Sequence, residues 1–179
     1  NEAMTSILKM LESENSFTKI VDDILKDACE YLGISAGALL RENQEQKTVD
    51  MICEYAGGGR EPQMAKEQGV PKEELPFFNG KPYMISSDSM MPEGFARLFA
   101  QKKLTAAVFL PVEVNGHAGM YLCFCESEKK KKWENADVKF INDVKRIIQT
   151  ILTKRITKNS LASSYASLEA ILENVGCAI

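Results

Sequence analysis

The chain has 179 residues, of which 45% are hydrophobic and 26% charged, with a formal net charge of -3. That length suits one domain plus an appendage, and the slight acidity gives no general attraction to nucleic acid. No apolar run approaches the ~18 residues that span a bilayer, so neither a nucleic-acid nor a membrane partner is expected for this stretch.

Met4, Ile7, Leu8 and Leu11 recur at helical spacing, which predicts a short amphipathic helix over 2–12 inside an N-terminal segment of 1–15. Ser16 is placed as the N-cap of the next helix. That helix carries Phe17, Ile20, Val21, Ile24, Leu25, Ala28, Tyr31 and Leu32 on one face and stops at Gly33. "ISAGALLRE" (34–42) and "TVDMICEYA" (48–56), joined by polar "NQEQK", read as a strand pair. In the second strand Val49, Met51, Cys53 and Tyr55 alternate with Asp50, Ile52 and Glu54, so one side is expected to be half exposed. Residues 57–81 read as irregular, "PYMIS" (82–86) as a short strand, and a helix is expected from about Pro92 with Phe95, Leu98 and Phe99 on one face.

"AVFLPVEVNGHAGMYLCFCE" (107–126) is the clearest element, because Asn-Gly between apolar runs is a strong hairpin signal. A two-residue turn at Asn115-Gly116 would put Val108, Leu110, Val112, Tyr121 and Cys123 on one face. Ala107, Phe109, Pro111, Met120, Leu122 and Phe124 would then share the other. Both faces are apolar, so the pair belongs in the middle of a sheet covered on both sides. After the solvated loop "ESEKKKKWENAD", a long helix starts near Asn135. Its apolar residues run from Val138 through Ile141, Val144, Ile147, Ile148 and Ile151 to Leu152. From Leu161 the spacing narrows to Leu161, Tyr165, Leu168, Leu172 and Val175, as in a two-helix seam. A parallel homodimer is expected there, with a break in register near Lys154–Ser160 that gives the helix two packings.

Together these elements give an α+β fold, a central antiparallel sheet with the terminal helices on one face and a loop/helix insertion on the other.

Chemistry-bearing residues are sparse. His117 is six residues from Cys123, about 20 Å along an extended strand, so the histidine and the cysteine pair cannot share one ion. Adjacent carboxylates such as Asp22 and Asp23 diverge by about 100° on a helix. Neither a Ser/His/Asp order nor a Walker loop is present, so no catalytic residue, no metal and no enzymatic activity is assigned. Five cysteines at scattered spacings argue for a reducing cytoplasm over a disulfide framework. A redox role for Cys53, Cys123 or Cys125 is a weaker reading. The start "NEAMTSILKMLESENS" and the apolar end "ENVGCAI" suggest a piece of a longer protein.

The order helix "FTKIVDDILKDACEYLGISAGALL", then "NGKPYMISSD", then "TAAVFLPVEVNGHAGMYLCFCE", then Trp133 before the closing helix resembles a GAF domain over 16–155. The tail "SLEAILENVGCAI" (167–179) is similar to the leading helix and first strand of a PAS domain, which makes 156–179 a signalling linker into a truncated PAS domain. The resemblance implies a small-molecule pocket under the insertion. With the hairpin register above, Phe109, Met120, Leu122 and Phe124 form its floor and Tyr83, Met84, Phe95 and Phe99 its roof.

Ligand motifs of the family do not match. The Asn-Lys-Phe-Asp-Glu signature of cyclic-nucleotide binders is missing, no Cys-His pair offers a bilin attachment point, and 57–122 hold no cysteine for methionine sulfoxide reduction. The haem-binding reading needs an inward histidine, and the expected register points His117 the wrong way. No cofactor is named. The expected function is a sensory module of a bacterial signalling protein that passes ligand state through its C-terminal helix to a cyclase, phosphodiesterase or histidine kinase. The alternative is a ligand-free dimerisation module with a collapsed pocket.

Overall fold

The computed structural model describes residues 14–59, 68–114 and 116–176. The predicted helix over 2–12 and the last three residues of the PAS-like tail lie outside them, as do Asn115 and Cys177. Helix α1 spans Glu14–Leu32. Ser16 is therefore inside the helix and not its N-cap, because the backbone of Glu14 and Asn15 is already helical. Its other end is as expected: Gly33 takes φ +65°, and the Ile34 N–H donates to the Cys29 carbonyl at 3.1 Å, which closes the last turn.

Six strands follow: β1 (Ala36–Asn43), β2 (Thr48–Ala56), β3 (Val70–Pro71), β4 (Tyr83–Ile85), β5 (Ala106–Val114) and β6 (His117–Glu126). They form one antiparallel sheet in the order β3-β2-β1-β6-β5-β4. A 3₁₀ turn at Lys72–Glu74 follows β3, in the stretch read as irregular. Helix α2 covers Phe95–Lys102. It starts three residues later than expected because Gly94 sits at φ +87°, outside helical space. Helix α3 runs unbroken from Asn135 to Gly176. The backbone is helical through the expected register break at Lys154–Ser160, while the side chains of the predicted seam lie outside the described residues.

Two apolar layers sandwich the sheet. On one side α1 and α3 pack Val21, Leu25, Ile141, Val144 and Ile148 against Leu39, Val108, Leu110, Val112, Leu122 and Phe124. Gly37, paired with Phe124, lets this layer close: a Cβ there would stand 3.1 Å from the Phe124 ring and 3.2 Å from the Cys29 Sγ. On the other side the insertion and α2 pack Leu75, Phe77, Phe78, Phe95, Leu98 and Phe99 against Leu40, Phe109, Tyr121, Cys123 and Cys125.

The hairpin register differs from the expected one. Val114 pairs with His117 as a two-residue turn requires, but Val112 then pairs with Met120, Leu110 with Leu122 and Val108 with Phe124. Ala118 and Gly119 together oppose Glu113 alone, a β-bulge that turns every later β6 side chain to the opposite face. Tyr121 and Cys123 therefore face the insertion, while Met120, Leu122 and Phe124 face the helices. A second bulge at Leu39/Leu40 interrupts the β1–β2 ladder. It leaves Val49 and Met51 on the insertion side and Cys53 and Tyr55 on the helix side, so their alternation does not describe one face.

Two joints fix the α3 end of the domain. The buried Glu126 carboxylate accepts the Ser35 hydroxyl and the N–H groups of Ser127 and Glu128, the latter two at 2.8 and 2.9 Å. The Trp133 indole N–H donates to the Ile85 carbonyl at 3.0 Å, tying β4 to the start of α3.

Candidate functional site

The insertion-covered face of the sheet is built on Phe109, which β5 presents at its centre. Phe77 stacks on it with ring centroids 4.1 Å apart and planes 5° from parallel. Phe95 from α2 lies 6.1 Å from Phe109 and Tyr83 from β4 lies 4.7 Å from Phe95. Tyr121 completes the group, 4.6 Å from Phe78 and 5.6 Å from Phe77. Offset and tilted ring pairs of this kind each add stabilisation beyond their burial. Phe77, Phe109 and Tyr121 are 0% exposed, so protein rings occupy the space over the sheet.

Polar anchors hold the covering loop. The Tyr121 hydroxyl donates to the Lys81 carbonyl at 3.0 Å, and burial pushes the phenol pKa upward, which keeps it a donor. The Asn79 side chain donates to the Tyr83 hydroxyl at 2.6 Å and accepts the Lys81 N–H at 3.0 Å. Gly80, at φ +84°, supplies the left-handed residue this turn needs.

Of the eight residues expected to line a site, the structure brings Tyr83, Phe95, Phe99 and Phe109 together on this face. Met84, Met120, Leu122 and Phe124 lie on the helix side and cannot line the same space. The reason for the last three is the β6 bulge; Met84 pairs with Val108 and shares its face. Phe77, Phe78 and Tyr121 were missed. "LPFFNG" carried the signal for the first two, since adjacent aromatics before Asn-Gly mark a loop that packs inward.

At the rim two open clefts remain. One, about 420 Å³, lies between the 3₁₀ turn and α2, with Glu73, Glu74, Arg97 and Lys102 among its walls. The other, about 560 Å³, lies between the β1–β2 turn and Phe78, with Lys47, Lys72, Pro71 and Pro76 beside it. Among the described residues no three His, Cys, Asp or Glu side chains group as a metal site, and no helix is long and apolar enough to cross a membrane. Burial pushes the Cys29, Cys53 and Cys125 thiols up to about 12, so they stay protonated and unreactive at neutral pH.

A curled antiparallel sheet with terminal helices on one face and a loop/helix insertion on the other is the GAF-like α+β fold. Solved structures bear this out at the level of the fold. The blue-light-absorbing form of the PixJ GAF domain from Thermosynechococcus elongatus superposes with a TM-score of 0.67 at 12% identity, over 87% of this chain and 94% of that one. A phycoerythrobilin-bound GAF domain from a cyanobacterial phytochrome gives 0.70 at 9% identity, over 87% and 97%. A phycocyanobilin-bound GAF domain from a cyanobacterial phytochrome gives 0.65 at 11%, over 84% and 94%. No protein-family model and no curated protein matches the sequence.

Proposed function

We propose that the chain is a sensory module of a bacterial signal-transduction protein. A small molecule acts at the insertion-covered face, and its state travels along α3 to an output domain such as a cyclase, phosphodiesterase or histidine kinase. The observation that carries this reading is the reach of α3. Its 42 residues span about 63 Å at 1.5 Å each, whereas the longest strand, ten residues, spans about 33 Å. The last buried residue on it among those described is Leu152, and the helical backbone continues to Gly176. One end is anchored to the sheet and the other leads away from it. Ile20, Tyr31 and Ile147 are exposed on α1 and α3, which supports a homodimer through the terminal helices.

The bilins held by the two bilin-bound phytochrome GAF domains fit poorly here. Phe77, Phe78 and Tyr121 occupy the face, and the cysteines on it, Cys123 and Cys125, are buried. A covalently held pigment needs an accessible thiolate, and neither supplies one. A ligand at this face must displace the Phe77–Phe78 segment.

The same packing favours a second reading, a ligand-free dimerisation module. A thermal-shift screen of nucleotides, bilins and metabolites on the whole chain separates the two. Under the sensory reading one compound at 100 times its Kd adds about 2.7 kcal/mol. A stable dimer that no compound shifts supports the dimerisation module.

A further inference from the structure

The lysine run 129–132 reads as a solvated loop by composition, yet its end is built into the domain. Lys130 and Lys132 are exposed, while Lys131 and Trp133 turn inward. The Lys131 ammonium lies 3.4 Å from the Leu32 carbonyl at the end of α1 and 3.4 Å from the Asp137 carboxylate in the first turn of α3. It also stands 5.5 Å from the centre of the Trp133 ring. The residues that end and follow β4 grip the same stretch. Ser86 Oγ accepts the Trp133 N–H at 3.0 Å, and the Trp133 indole N–H donates to the Ile85 carbonyl. The Ser87 N–H donates to the Lys131 carbonyl, and Ser87 Oγ accepts the Lys131 N–H, both at 2.8 Å. Four hydrogen bonds therefore clasp 85–87 to 131–133.

The other end of β4 belongs to the insertion-covered face. Tyr83 pairs with Phe109 in the β4–β5 register and meets the Phe95 ring at 4.7 Å. Ile85 lies two residues further on, about 7 Å along the strand. β4 is an edge strand held to one neighbour by three register pairs, so it is the least braced strand of this face that also touches α3's start. We propose that β4 and the 131–133 clasp form a coupling joint. Displacement of the Phe77–Phe109 stack moves β4 as a short lever, and the clasp passes that movement to the first turn of α3 and, through Lys131, to the end of α1. Ser87 and Trp133 are the positioning residues of this joint. Proximity alone does not establish coupling, and α3 also packs directly on β5 from the helix side, so the test separates the two routes. That the movement serves an output rests on the sensory reading above; the coupling itself does not.

The test is NMR of the whole 179-residue chain, reading the indole N–H of its single tryptophan, Trp133, and the amides of Asp137–Ile141. Phe77→Leu and Phe77→Ala perturb the insertion face without touching the clasp. The indole and α3 peaks should move together, further in Phe77→Ala than in Phe77→Leu. Ser87→Ala removes the hydroxyl that joins Lys131 to the Thr105 carbonyl. In its background the two Phe77 substitutions should lose most of their effect on the α3 amides. Gln149→Ala, which cuts a side-chain bond from α3 to the Glu113 carbonyl of β5, should leave that effect unchanged. Phe77→Leu keeps the comparison readable if Phe77→Ala and Ser87→Ala together unfold the chain. An indole peak that stays in place in Phe77→Ala overturns the proposal. So do α3 shifts of full size in the Ser87→Ala background, which would assign the transmission to β5. The variants need no ligand, so a joint that responds in a chain stabilised by no compound supports the coupling while the sensory reading falls.

Discussion

Replacing Phe77 with alanine removes the ring that closes the insertion-covered face. Phe77 is fully buried, stacked on Phe109 at 4.1 Å and set edge-on to Tyr121 at 5.6 Å. Truncating a core phenylalanine to alanine costs about 3–5 kcal/mol, the transfer free energy of the ring plus the void it leaves. A domain of this size is stable by roughly 5–15 kcal/mol, so the variant should remain folded. At about 2–4 °C per kcal/mol its Tm should fall by roughly 10 °C. The void is walled by apolar side chains of the same cluster, including Phe95, Leu98 and Phe109, so it should stay dry and accept benzene. Urea unfolding followed by the fluorescence of the single tryptophan, the buried Trp133, measures the cost, with the midpoint falling and the slope unchanged. Melts with benzene should then stabilise the variant and not the parent. A loss below about 1 kcal/mol, where a packed ring predicts several, or equal stabilisation of the parent by benzene, would falsify the packed-face account, since the space would already be open.

Gly37→Ala should cost about 1–3 kcal/mol by overpacking, because its Cβ meets the Phe124 ring and the Cys29 Sγ; shortening Phe124 to leucine as well should return part of that loss in a double-mutant cycle. Tyr121→Phe should cost about 1–2 kcal/mol through the orphaned Lys81 carbonyl, and a neutral result in urea unfolding would rule that bond out as an anchor. Cys29, Cys53 and Cys125, with thiols pushed up to about 12 by burial, should resist iodoacetamide at pH 8 until the chain is unfolded, as peptide mass analysis would show. Asp22 has its pKa raised above 3.8, first by burial and then by the neighbouring Asp23. The folded state then takes up a proton more readily than the unfolded one, so the penalty is fully present above the folded pKa and fades as pH falls toward 3.8. Asp22→Asn should therefore stabilise at pH 7, with a gain that shrinks on acidification; a gain constant with pH contradicts this.

The α+β class was legible in the sequence, from wide helical stripes such as Val138 to Leu152 and from a hairpin apolar on both faces. The side of the sheet given to the terminal helices rested in part on the family resemblance, because two apolar faces do not say which one the helices cover. The placement of Phe109 was legible to the same extent, since β5 alternates without interruption up to Val112. What failed was everything downstream of a bulge. One extra residue near Gly119 sends Met120, Leu122 and Phe124 to the helix side, and composition does not reveal it because both faces of β6 are apolar. Phe77 and Phe78 were hidden differently: a loop with no period gives no face, although two adjacent aromatics in it already had to be buried somewhere. The short β3 was invisible because two residues, one of them Pro71, carry no alternation.

Hydrogen exchange of the whole chain, with and without the strongest compound from the thermal-shift screen, tests most directly whether the insertion-covered face communicates with α3. The sensory account expects altered exchange both at Leu75–Tyr83, the covering loop, and along α3 from Val138 past Leu152. Exchange that changes at the loop while α3 stays unchanged, or a screen in which no compound alters either region, contradicts it.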